Sequence, residues 1–173
     1  SVSGYDRIES SITNNLINEG AAIHYVDEIQ QIKNIDSLDL VVYTPAITEK
    51  NTQLSYFKIA SISLIKRAEL LGVITKDSYC IAVAGTHGKT TTSSMVAWIL
   101  KYAKLNPSYL IGGQPINFNA PAKLTKSKYF VIEADEYDTS FFDKRSKYIH
   151  YRPDIFIINN IEFDHADIFD DID

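Results

Sequence analysis

Residues 84–92 read Ala84-Gly85-Thr86-His87-Gly88-Lys89-Thr90-Thr91-Thr92, directly after the apolar run from Ser78 to Val83. This order predicts a buried strand, a glycine-rich turn and then a helix, which the apolar positions Met95, Ile99, Leu100 and Tyr102 continue at helical spacing. Such a turn lets backbone N–H groups converge on phosphate oxygens at the positive end of a helix dipole. The loop Gly85, Thr86, His87, Gly88, Lys89, Thr90 and Thr91 is therefore expected to bind a nucleoside triphosphate, ATP first of all. Lys89, an exposed loop residue on this reading, would reach the terminal phosphates, and the Thr90 hydroxyl would ligate Mg²⁺. The longer common pattern carries a glycine where Val83 stands, so this loop is a shorter Gly-x-x-Gly-Lys-Thr form. A chance match in an unrelated loop is the competing reading, and the strand before it and the helical pattern after it argue against that.

Outward from the loop, the chain alternates strands and helices. A strand through Ser1–Tyr5 is followed by Ile8, Ile12 and Leu16 at helical spacing until Gly20 supplies a stop. Ala21–Val26 and Leu38–Tyr43 read as strands, Asn51–Ala60 as helix, Ile62–Ile65 as strand and Arg67–Ile74 as helix. After the loop helix, Lys89–Ala103, come strand Ser108–Ile111, a loop punctuated by glycine and proline through Pro121, strand Lys128–Ala134 and a last strand, Asp154–Ile161. This alternation predicts an α/β protein with mainly parallel sheets covered by helices. A boundary between two units is expected near Gly72–Asp77.

Composition narrows the classes of function. The chain has 173 residues, 45% of them hydrophobic, enough for a real core. Its net charge is −5, with 17 Lys and Arg scattered along it, so neither nucleic acid nor a membrane surface is an expected partner. The longest apolar stretches are strand-sized, and the N-terminus lacks a basic segment followed by an apolar one. The single cysteine, Cys80, lies in the strand feeding the loop and reads as a small buried apolar residue, in keeping with a reducing, cytoplasmic setting.

Acidic residues cluster where such a sheet would assemble a site. Tyr129-Phe130-Val131-Ile132-Glu133 ends a buried strand on a carboxylate, and Asp135, Glu136 and Asp138 follow at once. Mg²⁺ takes hard oxygen ligands, so Glu133 is expected to join Thr90 and nucleotide oxygens around one ion; the alternative is a solvated acidic loop. The final strand ends Asn159-Asn160-Ile161-Glu162-Phe163-Asp164-His165, again with polar groups at a carboxyl end. His165 is the histidine expected to act, whereas His24 and His150 read as structural, and His87 contributes mainly its backbone. Asp6, after the first strand, reads either as the N-cap of the following helix or as a ligand for a ribose or base.

These residues resemble the Mur ligases, which join amino acids or peptides to a UDP-linked muramic acid. Gly85-Thr86-His87-Gly88-Lys89-Thr90-Thr91 is similar to the family's ATP loop, Glu133-Ala134-Asp135-Glu136 to its metal-binding strand end, and Asn160-Ile161-Glu162-Phe163-Asp164-His165 to its second acidic and histidine segment. Ser3-Gly4-Tyr5-Asp6-Arg7, Tyr43-Thr44-Pro45-Ala46 and Lys66-Arg67-Ala68-Glu69-Leu70-Leu71 look like the branch that adds L-alanine to UDP-N-acetylmuramate. Ile111-Gly112-Gly113-Gln114-Pro115-Ile116-Asn117-Phe118 and the segment through Phe141-Phe142-Asp143-Lys144-Arg145-Ser146-Lys147 look like the murein peptide ligase branch, which adds L-alanyl-γ-D-glutamyl-meso-diaminopimelate to the same sugar nucleotide. The second stretch is longer and more distinctive and tips the expectation toward the peptide ligases.

The resemblance implies ATP and Mg²⁺ as cofactors and UDP-N-acetylmuramate and an amine-bearing amino acid or peptide as substrates. It implies catalytic roles for Lys89, Glu133 and His165, a metal set of Thr90, Glu133 and His165, and UDP-sugar contacts from Asp6 and Thr44. Residues 1–74 would be part of a Rossmann-like UDP-sugar-binding domain and 75–173 the N-terminal part of the ATP-binding domain, with a glycine turn before Ser1 and a C-terminal domain absent. A fragment of a ligase is the expectation, and a nucleotide-binding module that performs no ligation is the rival from another class.

Overall fold

A computed structural model describes residues 1–32, 37–44, 46–60, 62–134 and 151–160. The chain divides into two compact units, Ser1–Arg67 and Ala68–Asp173. The helix after Arg67 goes with the second unit, because Leu71 packs against that unit's Cys80-centred cluster.

In the first unit, β1 (Ser3–Tyr5) pairs in parallel with β2 (Ala22–His24), and α1 (Ser11–Asn18) is the crossover between them. Ser10, not Asp6, caps α1: its hydroxyl accepts the Thr13 N–H while the Thr13 hydroxyl oxygen accepts the Ser10 N–H, a reciprocal capping box. Asp6 lies too far upstream, and its Oδ1 accepts the Ile8 N–H at 3.1 Å in a local turn. At the other end Gly20, with φ +98°, lets its own N–H reach the Ile17 carbonyl and the Ala21 N–H reach the Leu16 carbonyl, so the stop expected there is a Schellman motif. β3 (Val41–Tyr43) pairs in parallel with β4 (Leu64–Lys66) as a separate two-stranded ladder. Their crossover, α2 (Thr52–Ile59), is capped by Asn51, and Asp27 accepts the N–H groups of Thr52 and Gln53. His24 is structural in kind: its Nε2 meets the buried Gln53 amide at 2.8 Å. A short 3₁₀ turn over Ile29–Gln31 has no counterpart in the sequence pattern.

In the second unit, α3 (Arg67–Thr75) leads into a five-stranded sheet. Its strands are β5 (Tyr79–Ala84), β6 (Ser108–Leu110), β7 (Ala122–Lys123), β8 (Tyr129–Glu133) and β9 (Ile155–Ile158), in the order β7-β6-β8-β5-β9. All neighbours are parallel except the short edge strand β7, which the sequence pattern does not predict. The helix α4 (Lys89–Tyr102) carries the chain from β5 to β6.

Alternation along the strands gives the sheet two apolar faces. Cys80, Ala82, Ala84, Phe130, Ile132, Ala134 and Tyr151 pack on one; Val131, Tyr109, Ile111 and Phe118 pack with Ala97 of α4 on the other. Because Val131 faces α4, Glu133, two residues on, leaves the strand on the α4 side. The sequence pattern predicted α4 itself but not its buried face. Met95, Ile99 and Tyr102 are largely exposed, whereas Ser93 and Ala97 are fully buried, since small side chains let the helix lie close against the strands.

Candidate functional site

The site forms at the carboxyl ends of β5, β8 and β9, where an open parallel sheet offers its crevice. The Ala134 N–H donates to the Val83 carbonyl and the Asn159 N–H to the Ala84 carbonyl, so both neighbouring strands run in register to the point where β5 becomes the loop. There the chain turns through two glycines in left-handed backbone, Gly85 at φ +123° and Gly88 at φ +77°, and Gly88 is the residue that caps α4. Neither conformation suits a side chain. Space forbids one as well, because a Cβ on Gly85 would lie 2.9 Å from the Asn160 carbonyl oxygen.

Thr90, in the first turn of α4, and Glu133, the last residue of β8, meet across the crevice. The Thr90 hydroxyl donates to Glu133 Oε1 at 3.0 Å, and the Gly112 N–H donates to Glu133 Oε2 at 2.8 Å. A Cβ on Gly112 would sit 3.0 Å from both carboxylate oxygens, and one on Gly113 would sit 3.2 Å from Thr90 Cγ2. The two glycines after β6 thus bring bare backbone up to the Thr90–Glu133 pair. A carboxylate and a hydroxyl, both hard oxygen donors at an exposed helix N-terminus, match the chemistry that Mg²⁺ prefers. Among the described residues no group of three or more His, Cys, Asp or Glu could hold a metal ion.

Lys89 is half-buried rather than exposed. Its Nζ donates to the Gly85 carbonyl at 2.6 Å and the Thr86 carbonyl at 3.3 Å, which folds the ammonium over the loop. The loop is held from β9: the Thr86 and His87 N–H groups donate to the Asn160 carbonyl (3.0 Å) and to Asn160 Oδ1 (2.9 Å). Asn159 donates to the His87 carbonyl at 3.2 Å and accepts from the Thr92 hydroxyl at 3.0 Å. The structure therefore brings Gly85, Thr86, His87, Gly88, Lys89, Thr90 and Glu133 together. His165, His150 and the carboxylates Asp135, Glu136 and Asp138 lie outside the described residues. Gly112, Thr92, Asn159 and Asn160 join the site although the sequence assigned none of them a role of its own; the signals for the asparagines were their place at a strand's carboxyl end and, for Asn160, the segment that resembles the Mur ligases.

Asp6 and Thr44 follow β1 and β3 directly, at the carboxyl ends of the two ladders of the first unit, and no hydrogen bond joins them. Thr44 Oγ1 accepts the Ala46 N–H at 3.4 Å. Cys80, beneath the loop strand, is 1% exposed. Burial, reinforced by the Asp154 carboxylate, pushes its thiol up to about 11, so it is a packing residue and not a nucleophile. Among the described residues no helix is long and apolar enough to cross a membrane.

Known proteins resemble the chain in both of its units. Residues 83–173 match the Mur ligase middle domain, and residues 1–79 match the Mur ligase family catalytic domain. The chain is 49% identical over 135 residues to the UDP-N-acetylmuramate–L-alanyl-γ-D-glutamyl-meso-2,6-diaminoheptandioate ligase of Escherichia coli K12, covering 78% of this chain and 30% of that protein. It is 41% identical over 172 residues to the UDP-N-acetylmuramate–L-alanine ligase of Flavobacterium psychrophilum, covering 98% of this chain and 37% of that one. The crystal structure of a Neisseria meningitides UDP-N-acetylmuramate:L-alanyl-γ-D-glutamyl-meso-diaminopimelate ligase superposes with a TM-score of 0.89 at 40% identity, over 99% of this chain and 56% of that one. The chain thus spans about a third of the length of the curated relatives it matches.

Proposed function

The chain belongs to the Mur ligase family, and on that premise we propose that it carries the nucleotide loop of an ATP-dependent ligase that joins L-alanyl-γ-D-glutamyl-meso-diaminopimelate to UDP-N-acetylmuramate in peptidoglycan recycling. The observation that carries the reading is the Thr90–Glu133 pair, 3.0 Å apart at the mouth of a glycine loop that opens a helix. Residues 1–74 would serve the UDP-sugar, with Asp6 and Thr44 as contacts, and 75–173 the nucleotide, the remaining domains lying in the parent protein. The setting is the cytoplasm, where ATP and the sugar nucleotide are found.

In this reaction the muramate carboxylate attacks the γ-phosphorus of ATP, the bond to the β,γ-bridging oxygen breaks and ADP leaves, and an amine then displaces phosphate from the resulting acyl phosphate and loses a proton to form the amide. The chain's own residues position and neutralise charge. Lys89 and the amides at the start of α4 offset the charge that builds on the transferred phosphoryl group, the kind of preorganised stabilisation that supplies much of the acceleration at such sites. Thr90 and Glu133 would hold Mg²⁺, which supplies Lewis-acid neutralisation of phosphate oxygens. His165 is assigned to a second metal position.

The peptide substrate is favoured by the 49% identity to the Escherichia coli peptide ligase and by the TM-score of 0.89 to the Neisseria one. Free L-alanine as substrate is the second reading, supported by 41% identity over nearly the whole chain to an L-alanine ligase. Competition between tripeptide and L-alanine in the parent enzyme decides between them. The expected result is a higher kcat/KM for tripeptide; a preference for L-alanine would move the assignment to the second reading.

A further inference from the structure

The phosphoryl chemistry just described gives no role to the two asparagines that follow β9, although hydrogen bonds tie them to the loop and to the first turn of α4. We propose that Asn159 and Asn160 form a clamp that fixes the loop's shape and reserves the Thr86 and His87 amides, so that phosphate is read by the amides of Gly88, Thr90 and Thr91. The proposal rests on the reading of this loop as a nucleotide site.

Donor accounting leads to it. The hydrogen-bond ladder of α4 starts with the Thr92 N–H donating to the Gly88 carbonyl at 2.9 Å, so the Gly88, Thr90 and Thr91 amides lie ahead of the ladder, where a helix N-terminus receives an anion. The Thr86 and His87 amides precede them in the same turn but point the other way, to the Asn160 carbonyl at 3.0 Å and to Asn160 Oδ1 at 2.9 Å. Asn159 spans the loop apex and the helix. Its Nδ2 donates to the His87 carbonyl and its Oδ1 accepts from the Thr92 hydroxyl, and reversing the amide would set two oxygens against each other at His87.

The clamp also accounts for both loop glycines. A Cβ on Gly85 would lie 2.9 Å from the Asn160 carbonyl oxygen, and one on Gly88 would lie 3.0 Å from Asn159 Nδ2. Bare backbone at both points is what lets β9 close on the loop. A loop held this way is shaped before ligand arrives, so less ordering cost is charged against binding. Both asparagines are positioning residues, since they would act on the phosphates through the loop backbone and Thr92 that they hold.

The test is amide NMR of the isotope-labelled intact protein titrated with MgATP. In the wild type the Gly88, Thr90 and Thr91 resonances should move with ligand while those of Thr86 and His87 hold still. Asn160→Ala should shift the His87 resonance before ligand is added, and Asn159→Ala and Asn160→Ala should each raise the MgATP Kd about tenfold, the effect of losing one to two hydrogen bonds. Thr92→Val, at a half-buried position that keeps a β-branched residue, should weaken binding by a smaller factor of about three through the loss of one bond to Asn159. It carries the test should either asparagine variant fail to fold. Ligand-induced shifts of Thr86 and His87 as large as those of Thr90, or wild-type affinity in the folded variants, would overturn the clamp while leaving the nucleotide site in place. The absence of any MgATP-dependent shift in the loop, or a Lys89→Ala variant that binds MgATP as the wild type does, would remove the nucleotide reading and the clamp with it.

Discussion

At Glu133 two hydrogen bonds aim one carboxylate, and this makes Gly112 as informative a position as Glu133 itself. Gly112→Ala puts a methyl group 3.0 Å from both carboxylate oxygens, so the carboxylate must give by a few tenths of an ångström, at the expense of its bond to Thr90 or to the Gly112 amide. The parent enzyme carrying this change should fold and should need about tenfold more Mg²⁺ for half-maximal rate, from the loss of one charge-assisted bond of roughly 1.5 kcal/mol. An unaltered Mg²⁺ requirement would separate Glu133 from the metal. Lys89→Ala should abolish ATP turnover yet lower stability by no more than about 1 kcal/mol, since its bonds to the Gly85 and Thr86 carbonyls are contacts of a half-buried side chain to a loop and not to the core; wild-type turnover in a variant whose melting confirms folding would contradict the phosphate site. Cys80 gives a prediction in pH. Its thiol pKa is raised from 9.0 to about 11, so the unfolded chain sheds a proton that the folded chain keeps. Below pH 9 the thiol has no effect on stability, and between pH 9 and 11 stability should fall as pH rises. Cys80→Ala should flatten that part of the profile measured by denaturant unfolding.

Helix α4 shows what an element's sequence reveals and what it withholds. Its start was legible because Gly88-Lys89-Thr90 is a local signal, and its existence was legible from the period of the apolar residues. The buried face was not, because burial depends on how closely the helix approaches β8, and Ser93 and Ala97 win that place by being small. The far end holds a testable cost. Lys104 sits at φ +62° with its N–H on the Lys101 carbonyl, and the Leu105 N–H reaches back to the Leu100 carbonyl, a Schellman closure with lysine where glycine is favoured. Lys104→Gly should therefore stabilise the protein by about 0.5–1 kcal/mol, read as a higher melting temperature; a lower one would mean that the lysine side chain contributes more than the backbone conformation costs. The strands were legible to within a few residues, and β7 was missed because two residues paired at an edge leave no periodic trace. The asparagines and Gly112 went unassigned for a different reason. Their partners are set by parallel register between strands distant in sequence, and no local pattern encodes that.

At the scale of the molecule, two units each place their candidate ligands at the carboxyl ends of parallel strands: Asp6 and Thr44 in the first, the phosphate loop and Glu133 in the second. The division of labour proposed for them, sugar nucleotide in one and ATP in the other, requires that ATP consumption depend on the sugar nucleotide. A module that only holds ATP has no such requirement. The most direct test is the stoichiometry of the parent enzyme supplied with MgATP, UDP-N-acetylmuramate and tripeptide, with amide product followed by mass spectrometry and ADP and phosphate measured alongside. The account predicts one ADP and one phosphate for each amide formed, and no turnover when UDP-N-acetylmuramate is left out. ATP hydrolysis that proceeds without the sugar nucleotide, or ATP binding with no amide formed, would contradict it.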